Sequence, residues 1–344
     1  MKKKLLALGL AGMMMLGALA GCGGGGDTKE PAADTGADTA QTDNGGDAGK
    51  SASDTIKVVM SMPIRDEFWT SMEKKAVAKA EELNVDLTVY ESQYDFTQQL
   101  SHVSTAAVDG ADAVIVGLVN NDSAQEIINA AGDMKVVFVN RQPDLSVLQD
   151  NKVVYVGTDE TLYGNDQGKF LADYFKAKNK TDINAVILMG ELGLDNVIKR
   201  TQSVKDSLAE NGINVTIAYE DTANWDRAKA MDKFTQFMGT GKPFDAVICN
   251  NDEMALGCVE AMNASGKPID FPIVGIDGTV GGCQAVKDGT MACTVLQDQG
   301  AQGEGVILCA SGLVRGEPID NLVDNYYNIP PALITPENVD QFMS

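Results

Sequence analysis

Polar side chains gather at the ends of apolar runs in this chain of 344 residues. The stretch Val247–Gly257, VICNNDEMALG, passes from an apolar segment straight into Asn250, Asn251 and Asp252. Three readings compete there: a helix cap, a metal site, or hydrogen-bonding groups aimed at a ligand. Comparable clusters follow other apolar runs: Arg65, Asp66, Phe68 and Trp69; Asn140, Arg141 and Gln142; Asn196 and Arg200; Trp225 and Asp226; Asp277; and Gln297 with Asp298. Both tryptophans of the chain fall in this set. Amides, carboxylates and arginines beside aromatic plates suit a carbohydrate. Each sugar hydroxyl is a donor and a double acceptor, which planar Asn, Asp, Gln and Arg groups satisfy together. Hydrogen bonds to charged groups contribute roughly 1.5–3 kcal/mol each. Aromatic faces cover the C–H side of the ring, chiefly by burying apolar area.

Other chemistries lack raw material. The single histidine, His102, leaves little for His-based metal sites or for Ser-His and Cys-His catalysis. The six cysteines, Cys22, Cys249, Cys258, Cys283, Cys293 and Cys309, form no CxxC pair. The last five sit mainly in apolar patterns and read as small core hydrophobes. Gly300, Gly303 and Gly305 lack GxGxxG order, so no nucleotide phosphate site is expected there. With 27 basic against 49 acidic residues the net charge is −22, which argues against nucleic acid as a partner. The expectation is a binding protein, not an enzyme, with no cofactor and no metal.

The elements that must position these residues are legible as alternation. Apolar runs recur at 56–62, 86–91, 113–118, 135–140, 153–157, 185–190, 215–220, 246–251, 273–277 and 294–298, with amphipathic helical patterns between most of them. Continuous apolar strands alternating with helices imply parallel sheets covered on both faces. So many strands exceed one open sheet, and two α/β lobes are expected. Ligands of such sheets bind in the crevice at the carboxyl ends of the strands, where the polar clusters lie.

The N-terminus reads as an address. Lys2–Lys4 precede an apolar run from Leu5 to Ala20, then Gly21 and Cys22. At 16 residues the run is shorter than the roughly 20 needed to span a bilayer, and it describes a secretory signal. Leu19-Ala20-Gly21-Cys22 resembles the bacterial lipoprotein box, which implies that Cys22 is lipidated and that the mature protein is tethered to the membrane outside the cytoplasm. Residues 23–54, rich in Gly, Asp, Thr and Ala without aromatic or branched aliphatic groups until Ile56, read as a disordered linker.

From Ile56 to Phe342 the chain resembles the periplasmic sugar-binding proteins of bacterial ABC transporters, nearest to the galactose/glucose-binding branch. CNNDEMALGCVEAM is similar to that family's NNDxMAxG signature, VGID to its VG(V/F)D, and TVLQDQGAQG to TVLNDxxxQ. EDTANWDRAKAMDKF and VVFVNRQP match its stacking-tryptophan and strand-end stretches. The resemblance implies sugar contacts at Asp66, Phe68, Asn140, Arg200, Trp225, Asn251, Asp277 and Gln297, with Phe68 and Trp225 clamping the ring from opposite lobes. Asn196 is a further candidate, although it and Leu194 stand where the galactose receptor carries an acid and a histidine. Arg141 either stacks or bonds in the cleft or pairs with a surface acid. Phe68 is preferred over its neighbour Trp69, and the helix cap is assigned to Asp252, leaving Asn251 for the ligand. The receptor's calcium loop has no match in AKNKTDINAV.

The expectation is therefore a type I periplasmic binding protein with two Rossmann-like lobes: 55–157 with 297–326, and 158–296 with 327–344. It would be a monomeric, lipid-anchored monosaccharide receptor serving an ABC permease. The alternatives are a receptor for ribose, xylose, inositol or a signalling furanose, and a sugar-responsive regulator core. The regulator needs a basic helix-turn-helix head, and residues 1–54 offer a signal and an acidic linker.

Overall fold

The computed structural model describes residue 51 and residues 54–343. The signal segment, Cys22 and nearly all of the linker lie outside the described residues. In chain order the elements are β1 (Ile56–Met62), α1 (Glu67–Glu82), β2 (Val85–Glu91), α2 (Phe96–Val108), β3 (Ala113–Val116), α3 (Ala124–Ala131), β4 (Lys135–Val139) and β5 (Val153–Gly157). The second half of the alternation runs α4 (Glu160–Ala177), β6 (Asp182–Met189), α5 (Asp195–Glu210), β7 (Asn214–Thr222), α6 (Arg227–Gly239), β8 (Ala246–Cys249), α7 (Asp252–Ser265), β9 (Ile273–Asp277), α8 (Val280–Lys287) and β10 (Cys293–Leu296). Then come α9 (Gln299–Arg315), β11 (Leu322–Val323), β12 (Tyr326–Asn328) and β13 (Ala332–Ile334), followed by a 3-10 turn at Val339–Phe342.

Two sheets result. The first has strand order β11-β12-β5-β4-β3-β1-β2, and the second β13-β10-β9-β8-β6-β7. All pairings are parallel except β11 on β12 and β13 on β10. The strands are apolar throughout because both faces are covered: β3 and β8 are buried at every position. Two apolar layers flank each sheet. One holds Met60, Met72 and Ile307 on the α1/α9 side of the first sheet, and another holds Ile127, Phe138 and Tyr155 on the α2/α3 side. Phe234, Met254 and Val286 cover one face of the second sheet, and Leu171, Ile187 and Val204 the other. Burying each such side chain contributes about 1.5–3 kcal/mol, so truncating Phe138 would cost about 3–5 kcal/mol.

The strand order reverses between β1 and β3 in the first sheet and between β6 and β8 in the second. At such switch points the loops after neighbouring strands diverge and leave a crevice. The chain crosses between the sheets after β5, after β10 and after β12. Thr158 Oγ1 donates to the Ile329 carbonyl, which ties two of these crossings together.

All ten strands expected from the apolar runs are present, with ends shifted by a few residues. β11, β12 and β13 are two or three residues long and carry too little pattern to be read. They correct one boundary: Tyr326–Asn328 pairs as a unit with β5 in the first sheet, so the last crossing follows residue 328, whereas the sequence reading cut the chain at 326/327. Gly303 has a packing role, since a Cβ there would lie 2.4 Å from the Met72 carbonyl of α1.

Candidate functional site

A small cavity lies at the carboxyl ends of both sets of strands, in the crevice where sheets of this kind bind their ligands. Asp66, Phe68, Trp69, Tyr94 and Asn140 line it from the first lobe. Asn196, Arg200, Trp225, Asn251 and Asp277 line it from the second, and Gln297 from the crossing after β10. Nine of the ten sequence candidates thus meet in one space, and Arg141 does not reach it.

The first-lobe wall begins with Asp66, which caps α1: its Oδ1 accepts from the Trp69 N–H at 2.8 Å. Burial raises its carboxyl above the ordinary value, partly offset by that N–H. Phe68 and Trp69 are both buried and meet edge to face, with centroids 5.9 Å apart at 79°. Both rings line the cavity, so Trp69 joins the preferred Phe68 there. Asn140, at φ 65°, turns the chain after β4. Arg141 is buried, and its Nη1 donates to the Leu118 and Val119 carbonyls, each at 3.0 Å. Its guanidinium lies 5.3 Å from the centroid of Tyr94, a cavity-lining ring. Arg141 therefore backs the wall and pairs with no surface acid. Tyr94, whose hydroxyl burial pushes up to about 12, was missed. Its place after β2 is the signal that marked the other sites.

The second-lobe wall is organised by Arg200, 2% exposed. Its Nε donates to Glu160 at 2.6 Å, its Nη1 to the Asn250 carbonyl at 2.8 Å and its Nη2 to Gln297 Oε1 at 3.1 Å. The guanidinium lies 5.7 Å from the Trp225 centroid and 5.0 Å from that of Tyr163. Burial alone would lower the Arg200 pKa, but the Glu160 and Asp277 carboxylates carry it upward. For Glu160, burial outweighs the arginine and raises its pKa. Glu160 escaped notice in the sequence because nothing marks a first-turn helix acid as buried.

Asp277 ends β9 at φ 123°, a backbone conformation costly for any residue but glycine. Its Oδ1 is 3.9 Å from Arg200 Nη1, and burial holds its carboxyl well above the ordinary range. Gln297 presents Nε2, and Trp225 Nε1, as buried donors without a protein partner. Asn196 Oδ1 accepts from the Val197 N–H at 3.1 Å. Leu194 precedes α5 and is buried outside the lining.

The stretch Asn250–Asp252 divides its labour differently from the reading above. Asn250 is structural, its Oδ1 accepting from the Gly190 N–H at 3.2 Å. Asn251 is the cap of α7, its Oδ1 accepting from the Met254 N–H at 3.0 Å, and it also lines the cavity. Asp252 is not the cap. Its carboxylate points inward to Thr279 and Thr294. Asn outcompetes Asp here because the cap must face the cleft while the acid finds donors in the lobe. Cys249, Cys258, Cys283, Cys293 and Cys309 are buried free thiols.

The arrangement offers acceptors at Asp66 and Asp277, donors at Gln297, Trp225 and the asparagines, and flat apolar faces at Phe68 and Trp225. No nucleophile–base pair is placed among these groups. They are suited to enclosing a small polyhydroxylated ring.

The profile described as a periplasmic binding protein domain matches residues 57–318. A putative rhizopine-binding protein of Rhizobium meliloti is 33% identical over 282 residues, 80% of this chain and 89% of that protein. The D-galactose/methyl-galactoside binding periplasmic protein of Haemophilus influenzae is 31% identical over 295 residues, covering 81% and 88%. Among solved structures, an ABC transporter solute binding protein from Bacillus halodurans with bound myo-inositol superposes with a TM-score of 0.76 at 32% identity, covering 87% of this chain and 99% of that one.

Proposed function

The chain belongs to the periplasmic binding protein domain family, and from that premise we propose that it is an extracytoplasmic receptor that encloses one monosaccharide, galactose- or glucose-like, for delivery to an ABC permease. The observation that carries this reading is the convergence of Asp66 and Phe68 from one lobe with Asp277 and Trp225 from the other on a single cavity. The carboxylates accept hydroxyl protons, the amides and Gln297 Nε2 donate to hydroxyl oxygens, and the rings cover the two C–H faces. Such a ligand bridges both lobes only when they are closed, so binding shifts the population toward the closed form. The protein binds and releases its ligand unchanged, acts as a monomer, and is held at the membrane through lipidated Cys22, with no cofactor.

A second reading, a cyclitol or a pentose, is favoured by the departures at Leu194 and Asn196 and by the likeness to the solute binding protein with bound myo-inositol. Leu194 supplies no hydroxyl partner because it stays out of the cavity lining, and Asn196 lacks a carboxylate's charge. A thermal-shift screen over hexoses, pentoses and inositols tests both. A ligand at 100 times its Kd adds about 2.7 kcal/mol of stability. A shift with hexopyranoses supports the first reading and one with inositol or a pentose the second. No shift with any of them removes the receptor assignment.

A further inference from the structure

We infer that Asp252, which touches no ligand, is a positioning residue that sets the geometry of the second lobe's sugar contacts by clamping three strand ends together. The inference rests on the receptor reading above.

Asp252 is fully buried at the first position of α7. Its Oδ2 accepts from the Thr279 N–H at 2.9 Å and the Thr279 hydroxyl at 3.1 Å, and its Oδ1 accepts from the Thr294 hydroxyl at 2.6 Å. Thr294 Oγ1 in turn accepts from the Gly278 N–H at 3.1 Å, and Thr279 Oγ1 from the Gly282 N–H at 3.0 Å. One carboxylate thus joins the start of α7, the turn after β9 and strand β10. The ligand-facing residues are the immediate neighbours of these anchors. Asn251 precedes Asp252, Asp277 precedes the Gly278–Thr279 pair, and Gln297 closes the strand that carries Thr294.

The backbone around the clamp is cut to fit it. A Cβ at Gly275 would stand 2.2 Å from Asp252 Oδ1, and one at Gly282 would stand 2.0 Å from Oδ2. Two glycines therefore vacate the space the carboxylate fills. Asp277 keeps its φ of 123° directly before the clamped turn, and such a conformation persists only where its surroundings over-determine it. Releasing Gly278 and Thr279 would let Asp277 relax and carry its carboxylate away from the ligand position. The titratable groups facing Asp252 are acids and thiols: Glu67 from α1, Asp277 from β9, Cys249, Cys283 from α8 and Cys293 from β10. Burial pushes the Asp252 carboxyl up to about 7, and the clamp accepts all three donors fully once that carboxyl is ionised.

The test combines Asp252→Asn, Thr294→Val and Thr294→Ser in the full chain. With the sugar identified by the thermal screen, Asp252→Asn and Thr294→Val are expected to bind about tenfold more weakly while unfolding cooperatively, and Thr294→Ser, which keeps the hydroxyl, to bind within about twofold of the wild type. The rise in wild-type affinity from pH 6 to pH 8 is expected to exceed that of Asp252→Asn. Amide hydrogen exchange without ligand supplies an independent arm: the Gly278 and Thr279 amides should exchange at least about tenfold faster in Asp252→Asn, with the β8 amides unchanged. Should Asp252→Asn fail to fold, Thr294→Val is read in both arms. Wild-type affinity and unaltered protection at 278–279 would overturn the inference. A wild type that binds no sugar defeats the receptor reading instead, and the exchange arm then decides the clamp.

Discussion

The Glu67 carboxylate of the first lobe accepts a hydrogen bond from the Gly281 N–H of the second at 3.3 Å. Each sits in the first turn of its own helix, so the acid faces the positive end of α8. A Cβ at Gly281 would lie 3.1 Å from Leu256 Cδ1 and 3.6 Å from Glu67 Oε2, which leaves little room at this junction. The bond joins the two lobes without lining the cavity, so it belongs to the closed arrangement and not to the ligand. Glu67→Ala is expected to weaken sugar binding about fivefold, the loss of about 1 kcal/mol from closure. Calorimetry measures the affinity, and solution scattering should show a larger unliganded particle than the wild type. Unchanged affinity and size would mean the contact adds nothing to closure.

Acids buried behind and around the cleft make stability fall with pH. Burial raises the pKa of Asp66, Glu160 and Asp277, and sets Asp252 at about 7. A carboxyl whose folded pKa exceeds its unfolded value near 4 contributes stability that is complete below about pH 4 and lost as pH climbs through the folded value. For Asp252 that window runs from about 4 to about 7. The unliganded protein should therefore melt higher at pH 5 than at pH 8, and Asp252→Asn should flatten the slope. Calorimetric scans at pH 5, 6, 7 and 8 check this. A melting temperature that rises over the range would reverse the sign.

Much of the fold could be read because a two-sided parallel sheet writes itself as apolar runs, and ten of these mark the ten strands of the alternation. Strand-end chemistry then exposes the site, since Asn140, Asp277 and Gln297 break those runs abruptly. What stayed hidden depends on side-chain direction. Nothing local says that Asp252 turns into the lobe while Asn251 caps, because both residue types cap well. Arg141 was ambiguous because its partners, the Leu118 and Val119 carbonyls, are more than twenty positions away. The strands β11 to β13 are held by sheet edges supplied elsewhere, so their own residues carry almost no pattern.

The Arg200–Glu160 pair makes a stability prediction. Both side chains are almost wholly buried, and Arg200 also donates to the Asn250 carbonyl and to Gln297. Removing one member of a buried pair leaves an uncompensated charge and costs about 3–5 kcal/mol. Glu160→Gln should lower the urea midpoint accordingly, and it should also weaken binding because Arg200 orients Gln297. Wild-type stability would show that the pair is dispensable.

Lipid anchoring predicts a change of compartment. Cys22→Ser removes the thiol that would carry the acyl chains, each buried methylene of which is worth about 0.8 kcal/mol. The variant should leave the membrane fraction and appear in the soluble extracytoplasmic fraction, with its sugar affinity intact. Membrane retention on fractionation would contradict the anchor.

Trp225 offers the sharpest test of the stacking arrangement, because its ring can be moved without being removed. The residue sits at φ 65°, held by the turn after β7, and Gly190 at the end of β6 lies beneath its ring. A Cβ at Gly190 would stand 2.1 Å from Trp225 Cζ2, a distance no packing tolerates, so alanine there must push the indole. Trp225→Ala deletes the plate and Gly190→Ala displaces it. A displaced plate loses the same ring contact, while the hydrogen bonds of Arg200 to Glu160, Asn250 and Gln297 do not involve the indole. Both variants are expected to lose about 30-fold or more in sugar affinity, some 2 kcal/mol, which is in line with burial of one aromatic face. Gly190→Ala should keep the tryptophan fluorescence of a folded protein. Wild-type affinity in Gly190→Ala, with the ring shown to have shifted, would mean that Trp225 does not cover the sugar.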